Sequence, residues 1–273
     1  MRMILTGAVM AAAVLTGANA MAQSGAPPQT AALAELAPKG PVRVAIAISP
    51  APSALYAVKD ASGNFKGVTV DLGNALAAKL GRPVQFVPYL ASGEITANAN
   101  KDAWDVTFMP YDATRAKSVD FGSAYHLLQS TYLVTAKSGI KTMAEVDRPN
   151  VRIAGVEGTA TGRAAAASLK QAKIVSIPGV DAGVAMLNAG QAEAIALSRE
   201  SLTGLVPKIP GSHILEGGFL NSVTAAAVPK GKPAALAWVS AFVEEQKANG
   251  NVRKSFDAMG LKSSVVAPAG MKP

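Results

Sequence analysis

Arg115 is the residue of this sequence best placed to bind an anion. Residues 105–109 predict a short strand, and Pro110, a turn and one helical turn lead on to Arg115. Ligands of open α/β sheets bind beside the carboxyl ends of the strands, and a guanidinium grips a carboxylate through two parallel charge-assisted hydrogen bonds. We therefore interpret Arg115 as a carboxylate-binding residue; the alternative is an ion pair with Asp112 or Asp120.

Other candidate ligand contacts lie beside Arg115 or at predicted helix starts. Tyr56 and Tyr111 are candidates for a cleft wall, although tyrosine is equally common in ordinary packing. Asp112 either contacts a ligand or caps the turn before Arg115. Gly158, Thr159 and Ala160 form a small-residue turn into a helix, where free N–H groups attract anions and Thr159 also serves as a cap. Ser198 is open to the same two interpretations, as a ligand contact or as a helix cap.

The pattern of strands and helices predicts an α/β protein of two similar lobes. In the first lobe, 42–48, 84–87 and 105–109 are predicted strands, and a helix capped by Asp71 runs to Leu80. In the second, strands at 151–154, 173–177 and 193–197 alternate with helices at 160–170 and from Asp181 onward. We assign 41–132 plus 226–273 to the first lobe and 133–225 to the second. If 233–260 fold back on the first lobe as helices, the chain crosses near 130–135 and 222–228, which makes a hinged cleft.

The N-terminus is typical of an exported protein. Residues 1–22 carry an early positive charge, an apolar stretch and two small-x-small sites, ending at Ala20 and Ala22, so they predict a cleavable secretory signal peptide. Residues 23–40 are rich in Pro, Ala and Gln and predict a flexible leader or a loose helix. No later segment is long and apolar enough to span a bilayer. We expect a periplasmic monomer.

Composition excludes several classes of function. The chain has 26 Lys and Arg against 18 Asp and Glu, but the basic residues are scattered and aromatics make up 5%, which argues against nucleic-acid binding. The absence of cysteine rules out disulfides and thiolate chemistry. His126 and His213 stand alone, so we predict neither a metal site nor a cofactor.

Five short motifs, in order, resemble the extracellular solute-binding proteins of family 3, which serve polar amino-acid ABC transporters and have the type 2 periplasmic binding fold. They are 67–72 (Gly-Val-Thr-Val-Asp-Leu), 115–121 with Tyr125 (Arg-Ala-Lys-Ser-Val-Asp-Phe), 158–159 (Gly-Thr), 190–195 (Gly-Gln-Ala-Glu-Ala-Ile) and 226–231 (Ala-Ala-Val-Pro-Lys-Gly). The resemblance implies that Arg115 and the Gly158–Thr159 turn bind a ligand's α-carboxylate.

One departure from the family pattern concerns the ligand's α-amine. The resemblance places an Asp five residues after the acidic residue of 190–195, and here that position is Ser198. A neutral hydroxyl cannot neutralise an ammonium. The ligand therefore either lacks an α-amine or has its amine met by Asp112 or Glu200.

The resemblance implies a protein that captures a small anionic or zwitterionic solute, an amino acid or related organic acid, and delivers it to an inner-membrane ABC permease. A second possibility is an enzyme similar to cyclohexadienyl dehydratase, which shares this fold; Thr161 occupies the position of its catalytic Glu, and no Ser/His/Asp arrangement is present. A third is a ligand-binding module that feeds a membrane sensor.

Overall fold

The computed structural model describes residues 29–38, 40–48 and 53–273, so the predicted signal peptide at 1–22 lies outside the described residues. The α-helices are α1 Gln29–Leu36, α2 Val68–Leu80, α3 Ser92–Ala97, α4 Ala160–Ser168, α5 Val180–Asn188, α6 Arg199–Thr203, α7 Pro233–Ala248 and α8 Asn251–Ala258. The strands are β1 Val42–Ala47, β2 Val58–Lys59, β3 Phe65–Lys66, β4 Val84–Tyr89, β5 Val106–Pro110, β6 Val119–Val134, β7 Arg152–Val156, β8 Lys173–Ile177, β9 Ala194–Ser198, β10 His213–Ile214, β11 Leu220–Pro229 and β12 Val265–Val266.

Two parallel three-stranded units flank a central antiparallel pair, in the order β4-β1-β5-β11-β6-β9-β7-β8. β1 pairs in parallel with β4 and β5, and β7 pairs in parallel with β8 and β9. β6 and β11 run antiparallel to each other from one unit to the other. The predicted architecture, two α/β lobes joined by two crossing strands, is confirmed.

The two lobes have separate hydrophobic cores. α1, α2, α7 and α8 cover the first lobe, whose largest core holds Leu76 and Phe242 among its fully buried residues. The second lobe packs around residues such as Leu133 and Ile153. The division predicted from sequence is displaced at both crossings: Tyr132 already packs in the second lobe, and Val223 packs with Ala124 and Ala267 of the first.

Both lobes begin with an ion pair between an arginine and a carboxylate, at equivalent places in their sheets. Near the start of β1, Arg43 donates through its backbone N–H (2.8 Å) and Nε (3.1 Å) to Asp105, which precedes β5. Near the start of β7, Arg152 donates through its backbone N–H (2.7 Å) and Nε (3.2 Å) to Glu193, which precedes β9. In each lobe the arginine therefore joins the first strand to the neighbouring parallel strand. This repeated contact supports the similar plan predicted for the two lobes.

Of the two alternatives predicted for 23–40, a flexible leader or a loose helix, the described residues of this segment contain a helix, α1, whose Ala32 and Leu36 are fully buried in the core; burial of these apolar side chains holds the helix against the first lobe. One prediction about the first lobe is wrong. Asp71 does not cap α2, which begins at Val68 after Gly67. Asp71 instead accepts a hydrogen bond of 2.5 Å from Ser255 of α8. No helix within the described ranges is long and apolar enough to cross a membrane.

Candidate ligand-binding site

A cavity of about 70 Å³ lies between the lobes, at the carboxyl ends of their central parallel strands. The first lobe contributes Ala47, Tyr56, Ser92, Ile95, Phe108, Met109, Pro110 and Arg115 to its wall. The second lobe contributes Thr159, Ala160, Thr161, Leu197, Ser198 and Ser201. One wall residue carries a formal charge, and the others are apolar or bear hydroxyl groups.

Asp112 fixes the turn that brings Arg115 to the cavity. Its Oδ1 accepts hydrogen bonds from the backbone N–H groups of Thr114 (2.8 Å) and Arg115 (3.0 Å). This is the local turn that a short acidic side chain favours. The chain leaves β5 at Pro110, turns at Asp112 and enters a single 3₁₀ turn at Arg115, so the guanidinium points back toward the strand end.

The Arg115 guanidinium is buried and only partly satisfied. Its side chain is 2% exposed. Nη1 donates to the Pro110 carbonyl (2.7 Å) and Nη2 to Ser92 Oγ (2.5 Å). Nε makes no hydrogen bond and lies 3.5 Å from Asp112 Oδ2. A buried cation with an unused donor favours an anionic partner.

Charges around Arg115 reinforce this preference. Burial lowers the pKa of Arg115 to about 10, against the opposing effect of Asp112, so the side chain remains a cation at neutral pH. Burial alone would raise the pKa of Asp112, but the Arg115 backbone N–H and the charges of Arg115 and Arg163 hold it below its usual value. Two cations and one carboxylate therefore share this side of the cavity, with a net charge of +1.

The second lobe presents two helix starts to the cavity. Thr159 caps α4: its Oγ1 accepts from the Gly162 N–H (3.0 Å) and donates to the Val156 carbonyl (2.8 Å). The Thr159 hydroxyl is thus occupied, whereas the N–H groups of Ala160 and Thr161 begin the helix and have no acceptor within it. These N–H groups can serve as anion donors opposite Arg115.

Ser198 caps α6 in the same manner. Its Oγ accepts from the Ser201 N–H (3.3 Å) and donates to Ser201 Oγ (3.0 Å). Ser198 therefore both caps α6 and lines the cavity, because the capped turn itself forms part of the wall.

A buried polar pair lies behind the Tyr56 wall. His126 Nε2 is 3.2 Å from Glu200 Oε1, and His126 Nδ1 is 3.3 Å from Thr224 Oγ1. The Glu200 side chain is 8% exposed, and its Oε2 has no hydrogen-bond partner. Burial, and then the nearby Glu200 charge, raise the pKa of Tyr56, so its hydroxyl stays neutral.

The lobes touch each other at the rim of the cavity. Asp112 of the first lobe forms an ion pair with Arg163 of α4 in the second. Gly93 of α3 lies against the Gly158 carbonyl, which would be 3.2 Å from a Cβ atom placed on Gly93. The cleft is therefore closed over the cavity in this structure.

Five of the eight residues predicted for the site line the cavity: Tyr56, Arg115, Thr159, Ala160 and Ser198. The other three lie at its edges. Tyr111 turns away and packs edge-on against Phe121 (5.2 Å between ring centroids), beside a separate groove that Asp112 also lines. Gly158 contacts Gly93 across the rim.

Sequence reasoning missed three hydroxyl residues of the wall. Ser201 stands one helical turn after Ser198, and that spacing could have identified it. Thr161 was considered only as the counterpart of an enzyme's catalytic position. The sequence around Ser92 has no recognisable pattern, because the position of Ser92 in the cavity wall depends on where α3 packs. Within 29–38, 40–48 and 53–273, no three His, Asp or Glu residues gather as a metal site would require.

Comparison with known proteins places this geometry in a family. The family model described as bacterial extracellular solute-binding proteins, family 3, matches residues 42–259. An ancestral amino acid-binding protein, a precursor of cyclohexadienyl dehydratase, superposes with a TM-score of 0.73 at 26% identity, over 83% of this chain and 98% of its own. No curated protein sequence matches the chain.

Two further solved structures show the same fold at lower identity. The solute receptor for L-cysteine of Neisseria gonorrhoeae has a TM-score of 0.74 at 19% identity, covering 87% of this chain and 99% of that one. An amino acid ABC transporter substrate-binding protein of Streptococcus pneumoniae, bound to L-arginine, has a TM-score of 0.72 at 20% identity, covering 83% and 98%.

Proposed function

The chain belongs to the bacterial extracellular solute-binding proteins of family 3, and we propose that it captures a small carboxylate-bearing solute in the cavity between its lobes. The solute is an amino acid or a related organic acid. One observation carries the proposal: Arg115 is a buried cation in the cavity wall whose Nε has no hydrogen-bond partner.

Capture follows from the division of the wall between the lobes. In an open form, a carboxylate meets Arg115 on the first lobe. Closure then brings the N–H groups of Ala160 and Thr161 to the other side of the same anion, at the start of α4. Because both sets of donors act together only when the cleft is shut, the solute shifts the population toward the closed form.

We propose that the loaded protein passes its solute to an inner-membrane ABC permease from the periplasm. Family membership, and a structural relative that is an amino acid ABC transporter substrate-binding protein, support this partnership. No covalent step is needed. Thr161, which occupies the position compared with a catalytic Glu, contributes a hydroxyl group to the wall, and a hydroxyl of this kind cannot serve as a general acid near neutral pH.

Arg115→Met tests the proposal, because Met keeps much of the side-chain volume and removes the charge. A thermal-shift screen of amino acids, 2-oxo acids and 2-hydroxy acids first selects the tightest binder by mass action. Calorimetry should then show a loss of about 2–5 kcal/mol in Arg115→Met, which is a loss in affinity of about 30-fold or more. Arg82→Met, at an exposed position of the same lobe, is the matched control and should bind as the wild type does.

The stability of the variant separates binding from folding. Arg115→Met removes a buried charge whose desolvation is unfavourable, and it also removes the two hydrogen bonds that Arg115 donates. The two effects on the free energy of unfolding oppose each other, so we expect the variant to melt close to the wild type. Wild-type affinity in a folded Arg115→Met protein would contradict the proposed function.

A further inference from the structure

We propose that the solute held by this cavity is a carboxylate without an ammonium group, such as a 2-oxo acid or a 2-hydroxy acid. The inference rests on the proposed function, because it takes Arg115 as the carboxylate site. It depends on which groups of the cavity wall can contact the substituent on the carbon that bears that carboxylate.

The cavity wall contains a cation and no acid. All 18 acidic residues of the chain lie within the described residues, since the first of them is Glu35. None of them lines the cavity. The loop at 49–52, Ser-Pro-Ala-Pro, carries no ionisable side chain. An ammonium in this cavity would therefore face Arg115 and neutral groups.

Asp112, at the rim, is already engaged. Its Oδ1 accepts two backbone N–H groups, and its Oδ2 is shared between Arg163 and the Nε of Arg115. A carboxylate that serves two cations has no charge left to compensate a third. The Asp112 side chain also borders the neighbouring groove, outside the cavity wall.

Glu200 lies outside the cavity as well. Its Oε1 faces His126 at 3.2 Å, and it lines a separate crevice together with Ser53, Ala54 and residues of the C-terminal segment. Tyr56 and Ser201 form the cavity wall on this side. An ammonium bound beside Arg115 would therefore be separated from Glu200 Oε2, a buried carboxylate oxygen without a hydrogen-bond partner.

Charge balance then distinguishes the two classes of solute. A simple carboxylate neutralises Arg115 when the cleft closes, whereas a zwitterion leaves an uncompensated positive charge in a site removed from water. The hydroxyl groups of Ser198 and Ser201 in the second lobe are compatible with the same class. Ser198 donates to Ser201 Oγ, so the Ser201 hydroxyl hydrogen remains a donor suited to an oxo or hydroxyl oxygen, and neither hydroxyl supplies a charge to compensate an ammonium.

Paired titrations test this inference on the full mature chain. The probes are L-alanine with L-lactate and pyruvate, L-leucine with its 2-hydroxy and 2-oxo analogues, and L-glutamate with 2-hydroxyglutarate and 2-oxoglutarate. In each set that binds, we expect the acid lacking nitrogen to bind at least about tenfold more tightly than the amino acid, as a difference of 1.4 kcal/mol would give.

A charge added to the wall should reverse the preference. Ser198→Asp places a carboxylate beside the bound solute and should favour the amino acid of the same set, whereas the neutral Ser198→Asn should not. Asp and Asn are both good helix caps, so α6 should keep its start in either variant.

Three results would overturn the inference. Equal or tighter binding of an amino acid to the wild type is one. Loss of that amino-acid binding in Glu200→Gln, with the acid analogue still bound, would assign the ammonium to Glu200. Failure of every probe to bind would contradict the proposed function and the inference together, whereas amino-acid preference alone would leave the proposed function intact.

Discussion

Substitution of Gly93 by a residue larger than alanine should weaken binding of the solute without weakening the fold. The Cβ of an alanine here would stand 3.2 Å from the Gly158 carbonyl oxygen across the closed cleft. That separation requires a shift of only a few tenths of an ångström, so Gly93→Ala should close almost normally. Because α3 gains an alanine in place of a glycine, its stability should rise by up to about 0.5–1 kcal/mol.

Gly93→Val should obstruct closure. Valine adds two methyl groups to the same Cβ, and only one of its three staggered rotamers turns a hydrogen toward the Gly158 oxygen. The lobes must then part by about the length of a carbon–carbon bond or force an off-rotamer side chain, and forcing side chains into occupied space costs about 1–3 kcal/mol. We expect a loss in affinity of about fivefold to 150-fold.

Calorimetry with the tightest probe acid, together with small-angle scattering of the loaded protein, measures this effect. The radius of gyration of loaded Gly93→Val should exceed that of the loaded wild type. Ala97→Val is the matched control, since it puts the same side chain on an exposed position of α3. Unchanged affinity in Gly93→Val, or an equal loss in Ala97→Val, would refute the closure argument.

Three further predictions address the charges. Arg163→Ala should weaken binding by about twofold to fivefold, and less at high salt, because its half-exposed pair with Asp112 joins the lobes; calorimetry at two salt concentrations checks this. Asp105→Asn should lower the unfolding free energy by about 1.5–3 kcal/mol, since its 2% exposed carboxylate accepts hydrogen bonds from Arg43. Denaturant titration checks this, and the more exposed Glu193 should tolerate Gln better in the same titration. Because burial in the closed cleft lowers the pKa of Arg115 to about 10, carboxylate affinity should be constant at neutral pH and should fall as the pH rises above about 10; titrations from pH 7 to 11 check this.

The site was predictable from sequence where a local pattern defines a local structure. The spacing of Asp112 and Arg115 encodes the turn that orients the guanidinium, and Thr159 and Ser198 are recognisable caps. Each of these interactions joins residues no more than three apart. Local spacing therefore accounts for Arg115, Thr159 and Ser198 among the predicted residues that line the cavity.

What the sequence left open depended on packing between distant segments. Tyr111 was a candidate for the cleft wall or for ordinary packing, and it packs against Phe121. The segment at 23–40 was expected to be a flexible leader or a loose helix, and its α1 docks on α7 through Glu35, which accepts from the Ala235 N–H at 2.7 Å. Ser92 reaches Arg115 only after α3 and β5 come together. No spacing in the sequence encodes these contacts.

A crystal structure of the protein with its tightest-binding acid tests the central claim most directly. The account predicts a carboxylate oxygen within hydrogen-bond distance of Arg115 Nε, with the Ala160 or Thr161 N–H donating to the same carboxylate and the cleft closed as here. An acid bound with its carboxylate away from Arg115, or in the neighbouring groove beside Tyr111, would contradict it.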